Sequence, residues 1–236
     1  MDPTVPKGAA LLLDFIRETE VGRSDRASYD VIYGHNQDKL AKPITSMALG
    51  ELIDMQASFT KKYKSSASGG YQFMRATLQD LAHELGLRGA QVFDPDLQDR
   101  LAYHLLKRRG YEAFMAGKIS RAEFGKRLAQ EWASFPVLET TKGGTRAVVT
   151  RGQSFYAGDG LNKALVSPET FESVLDRAKA AGNGLAPTPA PSPKSGTPPP
   201  ALTQPVGRQS GKGGLIGLIV AAIAAAAAIF FGITGD

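Results

Sequence analysis

Glu20 is the residue whose type and position best suit chemistry. It follows an apolar stripe at three- and four-residue spacing that predicts a helix over residues 9–19. The stripe consists of Leu12, Phe15, Ile16 and Thr19. Gly22 predicts the end of this helix, so Glu20 faces the negative end of the helix dipole, which raises the pKa of a carboxyl group and suits a general acid. A solvated surface glutamate is the alternative that position alone leaves open.

Two glycines precede an aromatic ring and an amide at Gly69-Gly70-Tyr71-Gln72. Glycine permits close approach of the backbone to a ligand, and tyrosine and glutamine can stack on and hydrogen-bond a sugar. We expect a loop here that leads into a helix near Tyr71. The alternative is a glycine turn followed by a core tyrosine. The cluster lacks the lysine and the wider glycine spacing of a phosphate-binding loop.

Composition excludes several classes of site. The 236 residues include no cysteine, so disulfides and thiolate metal sites are excluded. No pair of the three histidines has metal-ligand spacing, and we predict neither a metal nor a cofactor. The net charge of +5 suits an anionic partner, but the basic residues are scattered without interleaved aromatic rings, which argues against nucleic acid.

The pattern predicts a mainly helical domain over residues 1–184. Further helices are expected at about 76–85, 95–109, 120–132 and 168–181. Ser120 and Glu123 form a capping-box pattern, while Ser167 is expected to cap the last helix and Gly182 to end it. The β-prone run 29–33 predicts a short hairpin with a strand near 42–45. Residues 137–152 read as a long loop or a weak hairpin.

The last fifty residues have a different composition. Eight of the fourteen prolines lie between Pro187 and Pro205, so residues 185–214 are predicted to be a disordered Pro/Gly/Ser-rich linker. Leu215 to Ile233 then forms an uncharged run of nineteen residues. As a helix it spans about 28 Å, which predicts one transmembrane helix and a lipid membrane as a partner.

The sequence resembles the phage lambda-type endolysins, which are lysozyme-superfamily enzymes that cut peptidoglycan glycan strands. The resemblance covers about residues 9–180 and rests on four motifs in order. These are Thr19-Glu20, Tyr29-Asp30-Val31-Ile32-Tyr33-Gly34, Ser68-Gly69-Gly70-Tyr71-Gln72 and Trp132-Ala133-Ser134-Phe135-Pro136. The family's Glu-Gly pair reads Glu20-Val21-Gly22 here, so Glu18 is the second candidate for the acid.

The resemblance implies an α+β lysozyme-like fold, mainly α, with a small β element beside a sugar groove. It implies Glu20 as the acid that cleaves the MurNAc–GlcNAc β-1,4 bond, with lytic transglycosylation favoured over hydrolysis. Asp25 and Asp30 are the candidates for a second carboxylate, which a hydrolase would need. The expected substrate-binding residues are Tyr33, Ser68, Gly70, Tyr71, Gln72 and Tyr156. Phe15, Tyr33 and Phe73 are expected to supply apolar walls around Glu20.

The expected setting is a phage or prophage enzyme of lysis or infection, anchored by its C-terminus to the host inner membrane or carried on the virion. Its catalytic domain would act on the periplasmic cell wall. Arg208 and Lys212 precede the predicted span, and the positive-inside rule then favours a cytoplasmic enzyme, so orientation stays open. The oligomeric state also stays open. The alternative function is a lysozyme-like module that binds glycan without cutting it.

Overall fold

The computed structural model describes residues 1–184, and seven α-helices make up nearly half of that part. The predicted linker over residues 185–214 and the predicted span Leu215 to Ile233 lie outside the described residues. Among residues 1–184, no helix is both long and apolar enough to cross a membrane. The helices are α1 (Lys7–Val21), α2 (Leu49–Tyr63), α3 (Arg75–Glu84), α4 (Pro95–Arg108), α5 (Tyr111–Met115), α6 (Arg121–Glu131) and α7 (Pro168–Gly182).

Helix α1 lies at the centre of the packing, against α7 along one side and α4 along another. Its apolar stripe is buried as predicted at Leu12 and Ile16, and Gly22 ends it with a positive φ of 73°. The Gly22 N–H donates to the Glu18 carbonyl, which closes the last turn. The buried face of α1 therefore extends to the last turn of the helix.

The N-terminal caps of α6 and α7 follow the sequence prediction. The Ser120 hydroxyl accepts a hydrogen bond from the Glu123 N–H at 3.1 Å, and the Ser167 hydroxyl accepts one from the Thr170 N–H at 3.2 Å. Only half of the capping box forms, because the Glu123 carboxylate turns to Lys126 and Arg127 instead of the Ser120 backbone.

The predicted hairpin of residues 29–33 with 42–45 is wrong. Arg26–Asp30 and Ile44–Ser46 are 3-10 helices, and Ile32 makes a single antiparallel bridge to Ser68. Val31 and Ile32 are β-branched, but burial in the core accounts for them here without a ladder, and Pro43 has no N–H to give to one. The small sheet is instead the antiparallel pair β1 (Thr141–Lys142) and β2 (Val148–Val149), within the segment predicted as a loop or weak hairpin.

Helix α3 confirms the helix expected at about 76–85, but it begins four residues after Tyr71, where the glycine motif suggested a helix start. Gln72 has a positive φ of 51°, a left-handed conformation that interrupts a right-handed helix. The Phe73 and Ser68 backbones exchange two hydrogen bonds, so Ser68–Phe73 closes as a tight loop before α3. Helix α3 then begins at Arg75.

Candidate active site

Glu20 lies in the last turn of α1 and is buried, with 8% of the residue exposed. The reason is its spacing. Leu12, Ile16 and Glu20 are four residues apart and so share one helix face, and that face packs into the core. The same periodicity that folds α1 therefore carries a carboxyl group into the interior. Glu18 projects from a different face and is exposed, which distinguishes the two candidate acids.

The Glu20 carboxyl group has no cationic partner within the described residues. Asp2, Glu20 and Asp99 are the buried carboxyl groups of residues 1–184. Asp2 pairs with Arg100 and Asp99 with Arg17, whereas no lysine, arginine or histidine there lies within 4.0 Å of Glu20. Burial raises the pKa of Glu20 to about 7, and a hydrogen bond from Ser134 partly opposes that rise. Both protonation states are therefore populated near neutral pH.

This pKa predicts a specific dependence of stability on pH. The folded-state pKa of about 7 lies above the ordinary value of 4.5, so ionisation of Glu20 opposes folding as pH rises between those two values. Replacing Glu20 with glutamine should leave the free energy of unfolding unchanged near pH 4. Above about pH 8 the variant should be more stable by roughly 3 kcal/mol, which urea unfolding across pH will measure.

Glu18→Gln is the matched control for this prediction, because Glu18 lies on the same helix but is exposed. Its stability should follow the parent's at every pH. Stability curves for the parent and Glu20→Gln that stay parallel from pH 4 to pH 8 would show that Glu20 ionises as freely in the folded state as in the unfolded chain.

Ser134 contacts Glu20, and the sequence did not single it out. Its hydroxyl donates a hydrogen bond to Glu20 Oε1. No other side chain within residues 1–184 makes a hydrogen bond to the Glu20 carboxyl group. Ser134 follows α6 in a turn that the Phe135 N–H closes by donating to the Trp132 carbonyl, and its neighbours on both sides are buried. The motif from Trp132 to Pro136 contributed to the family resemblance, but nothing in it indicated which residue would meet Glu20.

A buried polar network lies one turn before Glu20 on α1. Arg17 donates to the Tyr71 hydroxyl at 2.8 Å, to Asp99 Oδ1 at 3.4 Å and to the Tyr29 hydroxyl. Both tyrosine hydroxyls donate to Asp99, which is completely buried. Burial and the Asp99 carboxylate raise the pKa of each tyrosine well above its ordinary value, so both remain protonated donors. The network joins α1, α4 and the Ser68–Phe73 loop.

Tyr71 and Gln72 belong to the interior and do not line an open surface. Tyr71 is 1% exposed, and its ring packs edge-on against Tyr29 and Phe73. Gln72 is also buried, and its side-chain amide donates to the Gly69 carbonyl at 2.8 Å. The core-tyrosine alternative thus describes the placement of Tyr71, whose ring has no exposed face on which a sugar could stack.

The two glycines and Ser68 pack against the protein itself. A Cβ on Gly70 would lie 2.7 Å from Arg17 Cδ, and one on Gly69 would collide with the side-chain oxygen of Gln98. Gln98 Oε1 accepts the Gly70 N–H at 3.0 Å, which fixes the loop on α4. The Ser68 hydroxyl donates to the Ser66 carbonyl. The close approach that glycine permits is therefore to α1 and α4.

The two candidate second carboxylates have partners of their own. Asp25 is exposed and pairs with Arg23, which lowers its pKa. Asp30 is half-buried, and its Oδ1 accepts the Thr45 N–H at 2.9 Å, which joins two 3-10 helices. Each carboxylate thus has a local structural role.

The remaining predicted residues lie at the surface or in the core. Tyr33 is half-buried, and its N–H donates to the Ala67 carbonyl, while the Tyr156 hydroxyl donates to the Gln130 carbonyl at 2.8 Å. Of the expected apolar walls, Phe73 is a core residue, whereas the half-buried Phe15 stacks on Phe135, the neighbour of Ser134, at 5.6 Å.

An exposed apolar residue lies beside Ser134. The Leu165 N–H donates to the Ser134 carbonyl at 2.8 Å, and Leu165 is 51% exposed. Leu161, on the same loop, is also exposed. This loop therefore exposes apolar side chains, and at Leu165 it lies against the segment whose Ser134 hydroxyl hydrogen-bonds to Glu20. Sequence reasoning placed no site residue here, because an isolated leucine in a loop carries no chemical signal.

The comparison with known families decides the identity of the chain. The sequence profile of the family described as Endolysin matches residues 10–160, which include α1 with Glu20, the Ser68–Phe73 loop and Ser134. The chain belongs to the endolysin family. A search of curated proteins and a search of solved structures each return no significant match.

Membership of this family makes the chain a phage enzyme of cell-wall lysis, with peptidoglycan as its substrate. The matched region contains the buried carboxyl group whose pKa lies near neutrality. In residues 1–184 of the endolysin, no group of three or more histidine, aspartate or glutamate side chains is arranged to hold a metal ion. Within the matched region, Glu20 is a buried carboxyl group that can exchange a proton near neutral pH, and its carboxyl group accepts a hydrogen bond from Ser134.

Proposed function

We propose that this endolysin cleaves the β-1,4 glycosidic bond between MurNAc and GlcNAc, with Glu20 as the proton donor. The observation that carries the proposal is the burial of Glu20 without a cationic partner among the described residues, with a pKa raised to about 7. A carboxyl group in that state gives up a proton and takes one back near neutral pH. A structural glutamate at a helix end gains nothing from such an environment.

We favour lytic transglycosylation as the reaction. Glu20 donates its proton to the glycosidic oxygen as the bond from that oxygen to MurNAc C1 breaks, and GlcNAc leaves with its hydroxyl restored. The Glu20 carboxylate then accepts the proton of the MurNAc C6 hydroxyl, whose oxygen bonds to C1. The product is a 1,6-anhydro sugar, no water is consumed, and Glu20 returns to its protonated form.

The surroundings of Asp25 and Asp30 support a mechanism with one carboxyl group. A hydrolase of the usual kind places a second carboxylate across the bond, as nucleophile or as base for a water molecule. Asp25 is paired at the surface with Arg23, and Asp30 is occupied by the Thr45 backbone. A transglycosylase needs neither, because the substrate supplies the nucleophile.

Loss of turbidity in chloroform-treated Gram-negative cells tests whether the protein cuts or only binds. The full chain should clear the suspension, and Glu20→Gln should not. A protein that sediments with purified peptidoglycan but never releases soluble fragments would instead be a glycan-binding module without activity, and the proposed function would fail.

We propose that Leu215 to Ile233 tethers the enzyme to a membrane. The support is the sequence: nineteen uncharged residues, a length of about 28 Å as a helix, and a Pro-rich stretch before them. In fractionated cells, the full chain should be found with membranes, and a chain ending at Gly184 should be soluble. Recovery of both proteins in the soluble fraction would contradict the tether.

A further inference from the structure

We infer that Ser134 is the positioning residue for Glu20, holding its carboxyl group in one orientation and stabilising the carboxylate between proton donation and proton uptake. The inference rests on the proposed function of Glu20 as acid and then base. It adds a residue that acts on the substrate only through Glu20.

The first support is the contact itself. The hydrogen bond from Ser134 to Glu20 joins residues 114 positions apart in the sequence, from the end of α1 to the segment after α6. Ser134 is 4% exposed and Glu20 is 8% exposed, so water has little access to compete. A hydrogen bond to a charged group is strongest where solvent is excluded.

The second support is that Ser134 is itself held in place by its surroundings. Its carbonyl accepts the Leu165 N–H at 2.8 Å, and the preceding carbonyl of Ala133 accepts the Ser154 hydroxyl at 2.8 Å. Trp132 Nε1–H donates to the Tyr71 carbonyl at 3.2 Å. The hydroxyl therefore points at Glu20 before any substrate arrives, and little reorganisation is needed when charge develops.

Together these contacts connect the helix that carries Glu20 to the segment that carries Ser134 by a second route. Arg17, one turn before Glu20 on α1, donates to the Tyr71 side chain, and the Tyr71 carbonyl accepts from Trp132. Two residues after Trp132, Ser134 returns to Glu20. Tyr71 thus contributes to the site from the interior, by joining the helix of Glu20 to the segment of its hydrogen-bond donor.

The chemical consequence follows from which protonation state the serine favours. A hydroxyl that donates to a carboxylate stabilises the charged form, and without it the carboxylate would be buried with no side-chain donor among the described residues. Glu20 must pass through that charged form between the two half-reactions. Ser134 should therefore lower the barrier to proton donation and allow the cycle to run near neutral pH.

The test is the pH dependence of glycan cleavage by the full chain, measured on purified peptidoglycan at limiting substrate. In Ser134→Ala, the pH at which the cleavage rate falls on the alkaline side of the profile (the alkaline limb) should rise by about one unit, because one hydrogen bond to the carboxylate is lost. The rate on the acid plateau should fall by about tenfold, since proton donation then leaves a less stable anion. Ser134→Thr keeps the hydroxyl and should restore both the limb and the plateau.

Two further variants separate positioning from general destabilisation. Ser120→Ala removes the cap of α6 without touching Glu20, so its limb should stay with the parent. Ser134→Cys fills the same space with a weaker donor, and its limb should move in the same direction as that of Ser134→Ala even if the alanine variant folds poorly. A limb unchanged in Ser134→Cys, or moved equally in Ser120→Ala, would overturn the inference.

Glu20→Gln, assayed beside these variants, distinguishes failure of the proposed function of Glu20 from failure of the role inferred for Ser134. If Glu20→Gln cleaves peptidoglycan, the proposed function itself fails. If Glu20→Gln is inactive while the Ser134 variants keep the parent's pH profile and plateau, Glu20 stays the acid and only the role of Ser134 is refuted.

Discussion

Replacing Glu20 with glutamine is expected to lower the rate of peptidoglycan cleavage by about 10²- to 10⁴-fold, the usual contribution of a general acid. Glutamine fills the same volume and can still accept the Ser134 hydrogen bond, but it has no proton to give to the glycosidic oxygen. Release of soluble fragments from purified peptidoglycan at about pH 6 will measure the effect. With a pKa of about 7, Glu20 of the parent is expected to be largely protonated at that pH, and the parent is expected to be active.

Three other carboxyl groups provide controls for that result. Glu18→Gln and Asp25→Asn change exposed side chains and should keep nearly full activity. Asp30→Asn keeps an oxygen for the Thr45 N–H and should also remain active. A loss in Asp25→Asn or Asp30→Asn as large as in Glu20→Gln would mean that a second carboxylate takes part, and the single-carboxyl mechanism would be wrong.

The second large effect is expected on stability, at Asp99. Asp99→Ala removes the acceptor shared by Arg17, Tyr29 and Tyr71 and leaves the Arg17 guanidinium buried without it. Breaking a buried pair costs about 3–5 kcal/mol of folding free energy. Because Arg17 keeps its pair with the half-exposed Asp14, we expect a loss near the lower end of that range. Urea unfolding at neutral pH will measure the loss.

Asp25→Ala is the matched control, since it also removes an aspartate from an arginine pair but at an exposed position. Exposed pairs contribute roughly 0–1 kcal/mol, so this variant should unfold nearly with the parent. If Asp99→Ala is no less stable than Asp25→Ala, the buried network does not hold α1, α4 and the Ser68–Phe73 loop together.

The helices were predictable because their signals are local. The end of α1 follows from Gly22, and the starts of α6 and α7 follow from Ser120 and Ser167, each of which caps its own helix within three residues. The burial of Glu20 was also implicit, because it repeats the four-residue spacing of the stripe before it. Such features are determined by residues that are near in the sequence.

The rest of the site depends on contacts between distant segments. Nothing near Ser134 in the sequence indicates a partner 114 residues away, and the same serine would read as an ordinary loop residue. Gly70 and Tyr71 looked like ligand-binding residues because the sequence did not show that Arg17 and Gln98 occupy the space beside them. A motif of glycines and polar residues predicts close packing at that position. It does not show whether the neighbour is another part of the protein or a substrate.

The central claim is that Glu20 acts alone as acid and base, and mass spectrometry of the released muropeptides tests it most directly. Purified peptidoglycan would be digested with the full chain in ¹⁸O-labelled water, with a digest by Glu20→Gln beside it. Transglycosylation by Glu20 predicts 1,6-anhydro-MurNAc ends that are lighter by one water and free of label, and none above background with the variant. MurNAc ends that carry ¹⁸O, or anhydro ends formed equally by Glu20→Gln, would contradict it.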